Sequence, residues 1–307
     1  MHFLGRTLWA AALLAAGAIA SGAAELLRDP GFQRGFHLLE PPQGRRVVYG
    51  EAAGSAPGGA VWDLAQWSSR FPVRAPEGKP AGGILRLANE AKEARVDADG
   101  TLSLAVRASR EYVRPRRSGA EPWVHLLVQQ DFPDPPALGS LAALRFHAEA
   151  RLVASKLAVT NDYSPGVHAA QYFIYFTVAN RSPAAAGFGE CFWFGIPVYD
   201  NRERMVADYE ARDFGETRLF ICTPGTAEFA PASTHDGQWV AFDRDLLPLM
   251  RRGIEHAHAK GFFHGSADPM DFRPLGIFIG WEVPGMFDVE LELRKLSVEA
   301  TPKKPAG

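Results

Sequence analysis

Cysteine is scarce in this chain, which has only Cys191 and Cys222 among its 307 residues. That number excludes a disulfide-rich scaffold, in which several bridges compensate for a small core. Two cysteines so far apart in sequence also do not make a zinc site by themselves. Because the chain is predicted below to be exported to an oxidising compartment, we predict one Cys191–Cys222 disulfide. Two buried free thiols are the alternative.

A surplus of charge is also missing, since 33 Lys and Arg face 35 Asp and Glu and give a net charge of −2. Nucleic-acid and anionic-membrane binding favour a basic surface, so the sequence predicts neither partner. A second long apolar run is missing as well. The one such run, Leu8 to Ile19, has about a dozen residues, whereas a membrane-spanning helix needs roughly 20. We therefore expect no stable membrane insertion.

The beginning of the chain has the pattern of a secretion signal. His2 and Arg6 form a short basic start, the apolar run follows, and the small residues from Ala20 to Ala24 fit a cleavage site. We predict that residues 1–24 are a signal peptide cleaved near Ala20 to Ala24. The mature protein is then periplasmic or extracellular.

The rest of the chain is rich in turn formers, with 30 Gly and 23 Pro, and strand patterns lie between them. Apolar and polar residues alternate most clearly from Phe287 to Val298. Such period-two runs predict an all-β, antiparallel sandwich with one buried face on each sheet. The predicted strand regions are 101–106, 123–128, 143–148, 171–178, 191–199, 218–222, 238–242, 276–282 and 287–298.

One segment, 243–260, has a helical pattern instead. Leu247, Met250 and Ile254 share one face, Pro248 is tolerated in the first turn, and Gly261 is a stop signal. We predict one helix inserted between strands and packed on the sandwich. Residues 25–300 are predicted to be a single domain, and 301–307 a disordered tail.

Familiar catalytic and cofactor motifs are missing. The sequence contains no nucleophile elbow, no phosphate-binding loop and no dinucleotide-binding glycine pattern. His256 and His258 would lie on different faces of the predicted helix, and His264 adds no convincing third ligand. The sequence therefore predicts no metal site and no cofactor.

A group of aromatic and polar residues fits carbohydrate recognition better. Sugars present C–H faces that stack on aromatic rings and hydroxyls that bond to carboxylates and guanidinium groups. For each residue, burial or turn formation is the structural alternative. Glu282 is the sharpest candidate, because a carboxylate in an apolar strand must be paired or face a cleft. The candidate ligand-binding residues are Trp193, Asp200, Arg202, Trp281 and Glu282.

Glu190 and Glu282 would be the catalytic residues if the protein is an enzyme. Glycoside hydrolysis typically uses two carboxylates that flank the scissile bond. Two glutamates on strands of a curved sheet could meet this requirement.

The two ends of the mature chain resemble jelly-roll carbohydrate-binding modules with the galactose-binding-like fold. The opening segment Leu26 to Gly35 is similar to their first strand, and Met286 to Val298 is similar to their closing strand. The resemblance implies that the two segments lie together in a jelly roll and that the protein contacts carbohydrate. The family often holds a structural calcium near acidic residues, but this chain has Gln33 and Arg294-Lys295 there, which argues against that ion.

Three functions remain open from the sequence. The first is a secreted polysaccharide-binding protein that uses the five residues named above. The second is a glycoside hydrolase or polysaccharide lyase on the same fold, and the third is an envelope protein without a sugar ligand. Fold resemblance alone does not choose among them, and the sequence predicts no oligomeric state.

Overall fold

The computed structural model describes residues 22–42, 44, 46–76, 82–158, 161–213 and 217–304. Most of the predicted signal peptide, residues 1–21, lies outside the described residues, so the predictions of cleavage and export stay predictions. The described residues form two α-helices, α1 (Ala108–Glu111) and α2 (Leu247–Ala259), and sixteen strands. The strands are β1 (Ala24–Glu25), β2 (Gly35–Leu39), β3 (Val48–Ala53), β4 (Trp62–Ala65), β5 (Leu85–Ala88), β6 (Lys92–Val96), β7 (Leu102–Arg107), β8 (Val124–Asp131), β9 (Leu141–Leu157), β10 (Gln171–Asn180), β11 (Cys191–Asp200), β12 (Tyr209–Arg212), β13 (Phe220–Thr223), β14 (Val240–Asp245), β15 (Phe272–Val283) and β16 (Phe287–Pro302).

The strands form two sheets that pack against each other. The first sheet has the order β14-β9-β16-β7-β6-β5, with β1 paired to the end of β16, and the second has the order β12-β13-β11-β10-β15-β8-β4-β2-β3. Neighbouring strands are antiparallel except for β11 with β13 and β2 with β4, which are parallel. The predicted all-β jelly-roll sandwich with one inserted helix is therefore confirmed, with two parallel pairs in place of a wholly antiparallel arrangement.

One apolar core fills the space between the sheets. Trp281 of β15, Tyr172 of β10 and Phe146 of β9 are among its largest fully buried side chains. The indole Nε1 of Trp281 donates to the backbone oxygen of Leu104 in the first sheet, over 2.8 Å. This bond satisfies the polar atom that a buried tryptophan carries into a core.

The two ends of the chain meet, as the resemblance implied. Ala24 pairs with Ala300, and the backbone N–H of Leu26 donates to the oxygen of Val298 over 2.9 Å. Most of the opening segment is not a strand, however, because Asp29 and Phe32 have left-handed φ values of 60° and 56°. That segment turns the chain from the edge of the first sheet into β2 of the second.

Helix α2 begins later than predicted. Asp243 to Asp245 belong to β14, and the Asp245 carboxylate accepts from the backbone N–H of Leu247, where the helix begins. The apolar face of α2 packs closely on the sandwich at Gly253. A Cβ atom at this position would lie only 2.8 Å from Cε2 of Phe192. A glycine in mid-helix normally costs about 1 kcal/mol relative to alanine, and here it permits close packing.

The predicted disulfide is wrong, since Cys191 and Cys222 are both free thiols. Cys222 lies beside Phe194 of the parallel strand β11, about 10 Å further along that strand than Cys191. An odd separation of three residues also places the two side chains on opposite faces of the sheet. A disulfide needs Cα atoms within about 7 Å, so this register forbids it.

The end of the chain and its apolar helices were also subjects of prediction. Strand β16 continues through Thr301 to Pro302, so the predicted disordered tail cannot begin at 301. In the part of the chain that the structure describes, no helix combines the length and apolarity needed to cross a bilayer.

Candidate functional site

The outer face of the second sheet, which points away from the core, carries a groove of about 320 Å³. Strand register explains which side chains reach it. Gln129 of β8 lies opposite Phe278 of β15, and Phe278 lies opposite Tyr175 of β10. Because side chains alternate between faces along each strand, residues two apart from these share the same outer face.

Aromatic rings dominate the groove. Trp67, Trp123, Tyr175, Trp193 and Phe278 all line it. Six tryptophans lie in the described residues, so half of them meet at this one surface. Tryptophan in a strand is usually buried in the core, and this concentration on an outer face therefore points to a binding surface.

The aromatic residues form two clusters. In the first, His125 stacks on Trp123 with ring centroids 5.6 Å apart and contacts Trp67 edge-on at 5.7 Å. In the second, Trp193 contacts Phe278 at 5.2 Å and Tyr175 at 6.4 Å, both edge-to-face. Edge-to-face contact holds a ring firmly while leaving part of its face accessible.

Gly195 is required by the second cluster. A Cβ atom at this position would lie 2.7 Å from Cε1 of Tyr175 and 2.5 Å from Oγ1 of Thr223. The absent side chain allows the Tyr175 ring to lie close to β11. This is a packing requirement, because Gly195 has no left-handed φ.

Arg116 holds the ring of Trp123 in position. Its guanidinium lies 5.1 Å from the Trp123 ring centroid and donates to the backbone oxygens of Glu121 at 2.6 Å and Val167 at 3.0 Å. One side chain thus connects the two loops that carry these carbonyl groups. Arg116 is a positioning residue for this tryptophan.

Glu282 is the acidic group at the first cluster. Its Oε2 accepts from the indole Nε1 of Trp123 at 3.4 Å and lies 3.9 Å from Nε2 of His125. Nδ1 of His125 lies 2.9 Å from the Trp123 backbone oxygen, which can only accept, so Nδ1 carries the proton. The uncharged ring therefore presents its other nitrogen, a bare acceptor, toward Glu282.

Burial lowers the pKa of His125, and the nearby Glu282 carboxylate only partly opposes this effect. In the unfolded chain, His125 binds a proton once the pH falls below its ordinary pKa of 6.5. In the folded protein, its lowered pKa opposes this protonation. Stability must then fall as the pH drops through 6.5. We expect His125→Gln to flatten this loss when urea unfolding is measured from pH 7.5 to pH 5.

His235 shifts in the same direction, so some slope will remain in that variant. His258→Gln is the control, because His258 is exposed on α2. An unchanged pH slope in His125→Gln would contradict the assignment of a neutral, buried His125.

Asp213 is the second acidic group that lines the groove, beside the second cluster. It accepts a hydrogen bond from the Thr217 hydroxyl, and Thr217 Oγ1 in turn accepts from Nε1 of Trp193 at 3.3 Å. Burial raises the pKa of Tyr175 well above its usual range, and the negative charges of Glu282 and Asp213 add to this effect. The Tyr175 phenol therefore keeps its proton and can donate it in a hydrogen bond.

Arg46 is the one Lys or Arg among the described residues that line the groove, and it is paired. Arg46 donates to Oδ2 of Asp63 at 2.9 Å and to Oδ2 of Asp131 at 2.8 Å. Glu282 and Asp213 add carboxylates to the described lining of the groove. Such a surface disfavours anionic ligands.

Two of the five predicted ligand-binding residues, Trp193 and Glu282, line the groove. Trp281 does not, and its prediction as a binding residue is wrong. Successive residues of a strand point to opposite faces, and Trp281 is completely buried in the core.

Asp200 and Arg202 lie beside the groove as a bidentate ion pair. Arg202 donates to Oδ1 of Asp200 at 2.9 Å and to Oδ2 at 2.6 Å, and Gln171 adds a bond of 2.8 Å to Oδ2. Although burial raises the pKa of Asp200, these donors hold it below its usual value. The pair is not among the residues that line the groove and fixes the end of β11.

The predicted catalytic pair of Glu190 and Glu282 is wrong. Glu282 lies opposite Gln171 at one end of β10, whereas the Glu190 backbone oxygen accepts from Asn180 at the other end. The ten residues of β10 span about 30 Å. Hydrolysis requires carboxylates within about 10 Å.

Of the two histidines of α2, His258 is exposed and His256 forms an ordinary surface contact. His256 Nδ1 lies 2.5 Å from Oε1 of Glu210, and Lys260 binds the other oxygen of that carboxylate at 2.6 Å. Across the described ranges, no three His, Cys, Asp or Glu side chains converge on a common point that could hold a metal ion.

Five residues of the groove were not predicted as site residues, namely Trp67, Trp123, Tyr175, Phe278 and His125. Tyr175 and Phe278 lay within predicted strands, and their strand parity relative to Trp193 and Glu282 was the available signal. Trp123 and His125 also lay within a predicted strand, although β8 begins one residue after Trp123. Trp67 follows the short strand β4 in a stretch where no strand was predicted.

Comparison with known proteins finds likeness at the level of fold only. No protein-family model matches the chain, and no curated protein does. Solved structures with a similar fold include the endoglucanase Cel12A of Rhodothermus marinus (11% identity, TM-score 0.40, 80% of this chain and 100% of that chain). Others are a family 12 xyloglucanase of Bacillus licheniformis (9%, 0.41, 76% and 92%) and the family 11 xylanase of Neocallimastix patriciarum (9%, 0.39, 71% and 90%).

Proposed function

We propose that this protein binds a neutral polysaccharide in the groove of the second sheet. The observation that carries the proposal is the convergence of Trp67, Trp123, Tyr175, Trp193 and Phe278 on one outer surface with Glu282 among them. Aromatic faces carry negative charge density that attracts the C–H faces of sugar rings. Glu282 and the Tyr175 phenol supply an acceptor and a donor for hydroxyl groups.

The charged side chains of the described lining support a neutral glycan over an acidic one. Glu282 and Asp213 line the groove, while Arg46 is held by Asp63 and Asp131. A uronic acid polymer would bring further carboxylates against a lining in which Arg46, the one Lys or Arg among the described lining residues, is already paired. The same argument disfavours a polysaccharide lyase, which must neutralise the carboxylate of its substrate.

A glycan array followed by calorimetry tests the proposal. We expect binding to neutral hexasaccharides such as cellohexaose or xylohexaose, and none to an oligogalacturonate of similar length. Retention of acidic glycans alone would overturn the proposed specificity. No binding to any glycan would overturn the function and favour the envelope protein without a sugar ligand.

Glycoside hydrolysis is the second candidate, and the carboxylates of Glu282 and Asp213 favour it. Both line the groove, Glu282 beside the first aromatic cluster and Asp213 beside the second. Two carboxylates on either side of a bound sugar are what hydrolysis requires, one to protonate the leaving oxygen and one to assist attack at the anomeric carbon. Water then adds across the cleaved bond and a new reducing end appears.

If the protein hydrolyses a glycan, Glu282→Gln should lower the release of reducing ends by at least about 100-fold, because general acid–base groups contribute 10²–10⁴. Affinity for the oligosaccharide should change only a few-fold. Glu190→Gln is the matched control and should keep its activity, since Glu190 lies at the far end of β10. Equal losses in both variants would contradict a role for Glu282.

A further inference from the structure

Two residues that line the groove, Gln129 and Trp67, each carry a buried polar atom with no hydrogen-bond partner among the described residues. These atoms are Oε1 of Gln129 and Nε1 of Trp67. The whole Gln129 residue is only 2% exposed. Buried polar atoms are nearly always hydrogen-bonded, so an acceptor and a donor at one binding surface point to a ligand that completes both bonds.

A hydrogen bond to Asp63 fixes the orientation of the Gln129 side-chain amide. Its Nε2 donates to Oδ2 of Asp63 at 3.3 Å, and a carboxylate can only accept. Asp63 is itself held by Arg46 at 2.9 Å and by Nδ1 of His37 at 3.2 Å. Rotating the amide would direct its oxygen at a carboxylate, so Oε1 stays turned away from Asp63.

The surface around these two atoms is apolar. Trp67 packs against a small cluster of Leu39, Ala65 and Leu127 on the outer face. Phe278 lies directly across the strand pair from Gln129. Desolvation by such neighbours strengthens hydrogen bonds to the few polar atoms present.

We propose that Gln129 and Trp67 form a polar subsite that recognises the hydroxyl groups of one sugar unit. Gln129 Oε1 accepts from one hydroxyl, and Trp67 Nε1 donates to another hydroxyl or a ring oxygen. The apolar cluster contacts the C–H face of the same sugar. This proposal rests on the proposed function and names the residues that recognise the hydroxyl groups.

The subsite predicts selectivity against sugars that lack the hydroxyl. A site with a buried polar atom rejects an analogue that leaves this atom unpaired, because the desolvated group then has no partner. Stacking on aromatic rings alone does not distinguish a hydroxyl from a hydrogen in this way. Gln129 is therefore a specificity residue, and Trp193 supplies affinity at the other cluster.

The test measures calorimetric affinity for cellohexaose and xylohexaose in Gln129→Leu and Trp67→Phe, with Gln130→Leu as the control. Gln130 has the same residue type, strand and 2% exposure, but its amide bonds to the backbone of Arg28 instead. We expect each groove variant to lose roughly tenfold in affinity for the better probe. Gln130→Leu should lose stability and keep its affinity per folded molecule.

A spectroscopic readout separates recognition from damage to the fold. In ¹⁵N-labelled protein, the indole N–H signal of Trp67 should move downfield on addition of the hexasaccharide, and the side-chain amide signal of Gln129 should shift. The amide signal of Gln130 should remain in place. If Gln129→Leu and Trp67→Phe bind as the wild type does while Trp193→Ala is weakened, the subsite is wrong and the proposed function stands. If the wild type binds no glycan, both are wrong.

Discussion

Replacing Lys92 by methionine is expected to lower the free energy of unfolding by about 3–5 kcal/mol, because it leaves the carboxylate of Glu111 buried without its cation. The ammonium of Lys92 contacts Oε1 of Glu111, and both side chains are 0% exposed. Lys92 Nζ also donates to the Ser69 hydroxyl at 2.5 Å, and Glu111 Oε2 accepts from the backbone N–H of Arg70 at 2.7 Å. The pair therefore holds the segment that follows Trp67.

Urea unfolding at pH 7 measures this loss. Glu111→Leu alone should cost a similar amount, whereas the double variant Lys92→Met/Glu111→Leu should recover much of it, since no unpaired charge then remains buried. Arg86→Met serves as the control, because Arg86 pairs with Glu93 at the exposed surface and such pairs contribute about 0–1 kcal/mol. A loss below 1 kcal/mol in both single variants would show that the pair is not buried as described.

The second large effect is expected in Trp193→Ala, which should weaken glycan binding by at least about 30-fold. Truncating a central aromatic residue at a binding surface commonly costs 2 kcal/mol or more, and about 1.4 kcal/mol corresponds to tenfold in affinity. Trp193 contacts Phe278 and Tyr175, so its loss also releases the ring arrangement of the second cluster. Calorimetric titration with the best neutral hexasaccharide gives the affinity.

Trp239→Ala is the matched control for this substitution. Trp239 is also half-buried, but it lies away from the groove with its ring centroid 4.9 Å from the Arg151 guanidinium and 3.9 Å from that of Arg294. We expect this variant to bind as the wild type does, and Trp193→Phe to retain most of the affinity. Equal weakening in the two alanine variants would place glycan binding outside the groove.

The local pattern of apolar and polar residues was sufficient to predict the longer strands. Every strand region predicted from 101 to 298 lies largely within an observed strand, and the alternation from Phe287 identified β16 correctly. The strands of the first third are shorter, and β4 and β5 have only four residues each. So short a run shows little periodicity, and these strands form because longer neighbours pair with them.

The individual site residues were only partly predictable. Trp193 and Trp281 look similar in sequence, since each lies in an apolar strand within three residues of a glutamate. Trp193 lines the groove, whereas Trp281 fills the core. In these central strands the outer face is also partly apolar, so alternation of hydrophobic and polar residues does not identify the buried side.

The cysteine prediction failed for a related reason. Both residues were expected on neighbouring strands, and β11 and β13 are indeed neighbours. The two strands run parallel, and their register offsets the thiols along the sheet and places them on opposite faces. Strand direction and register are properties of pairing between distant segments, which residue spacing does not report.

The sequence alone determined the class of this protein, because the period of apolar residues is a local property that each strand and helix α2 carries by itself. It also indicated aromatic and acidic residues suited to sugar recognition, with Trp193 and Glu282 among them. Only the tertiary structure decided that Trp67, Trp123, Tyr175 and Phe278 join them. Those residues come from distant segments and meet because of the order and register of β8, β15, β10 and β11, which depend on contacts made throughout the folded chain.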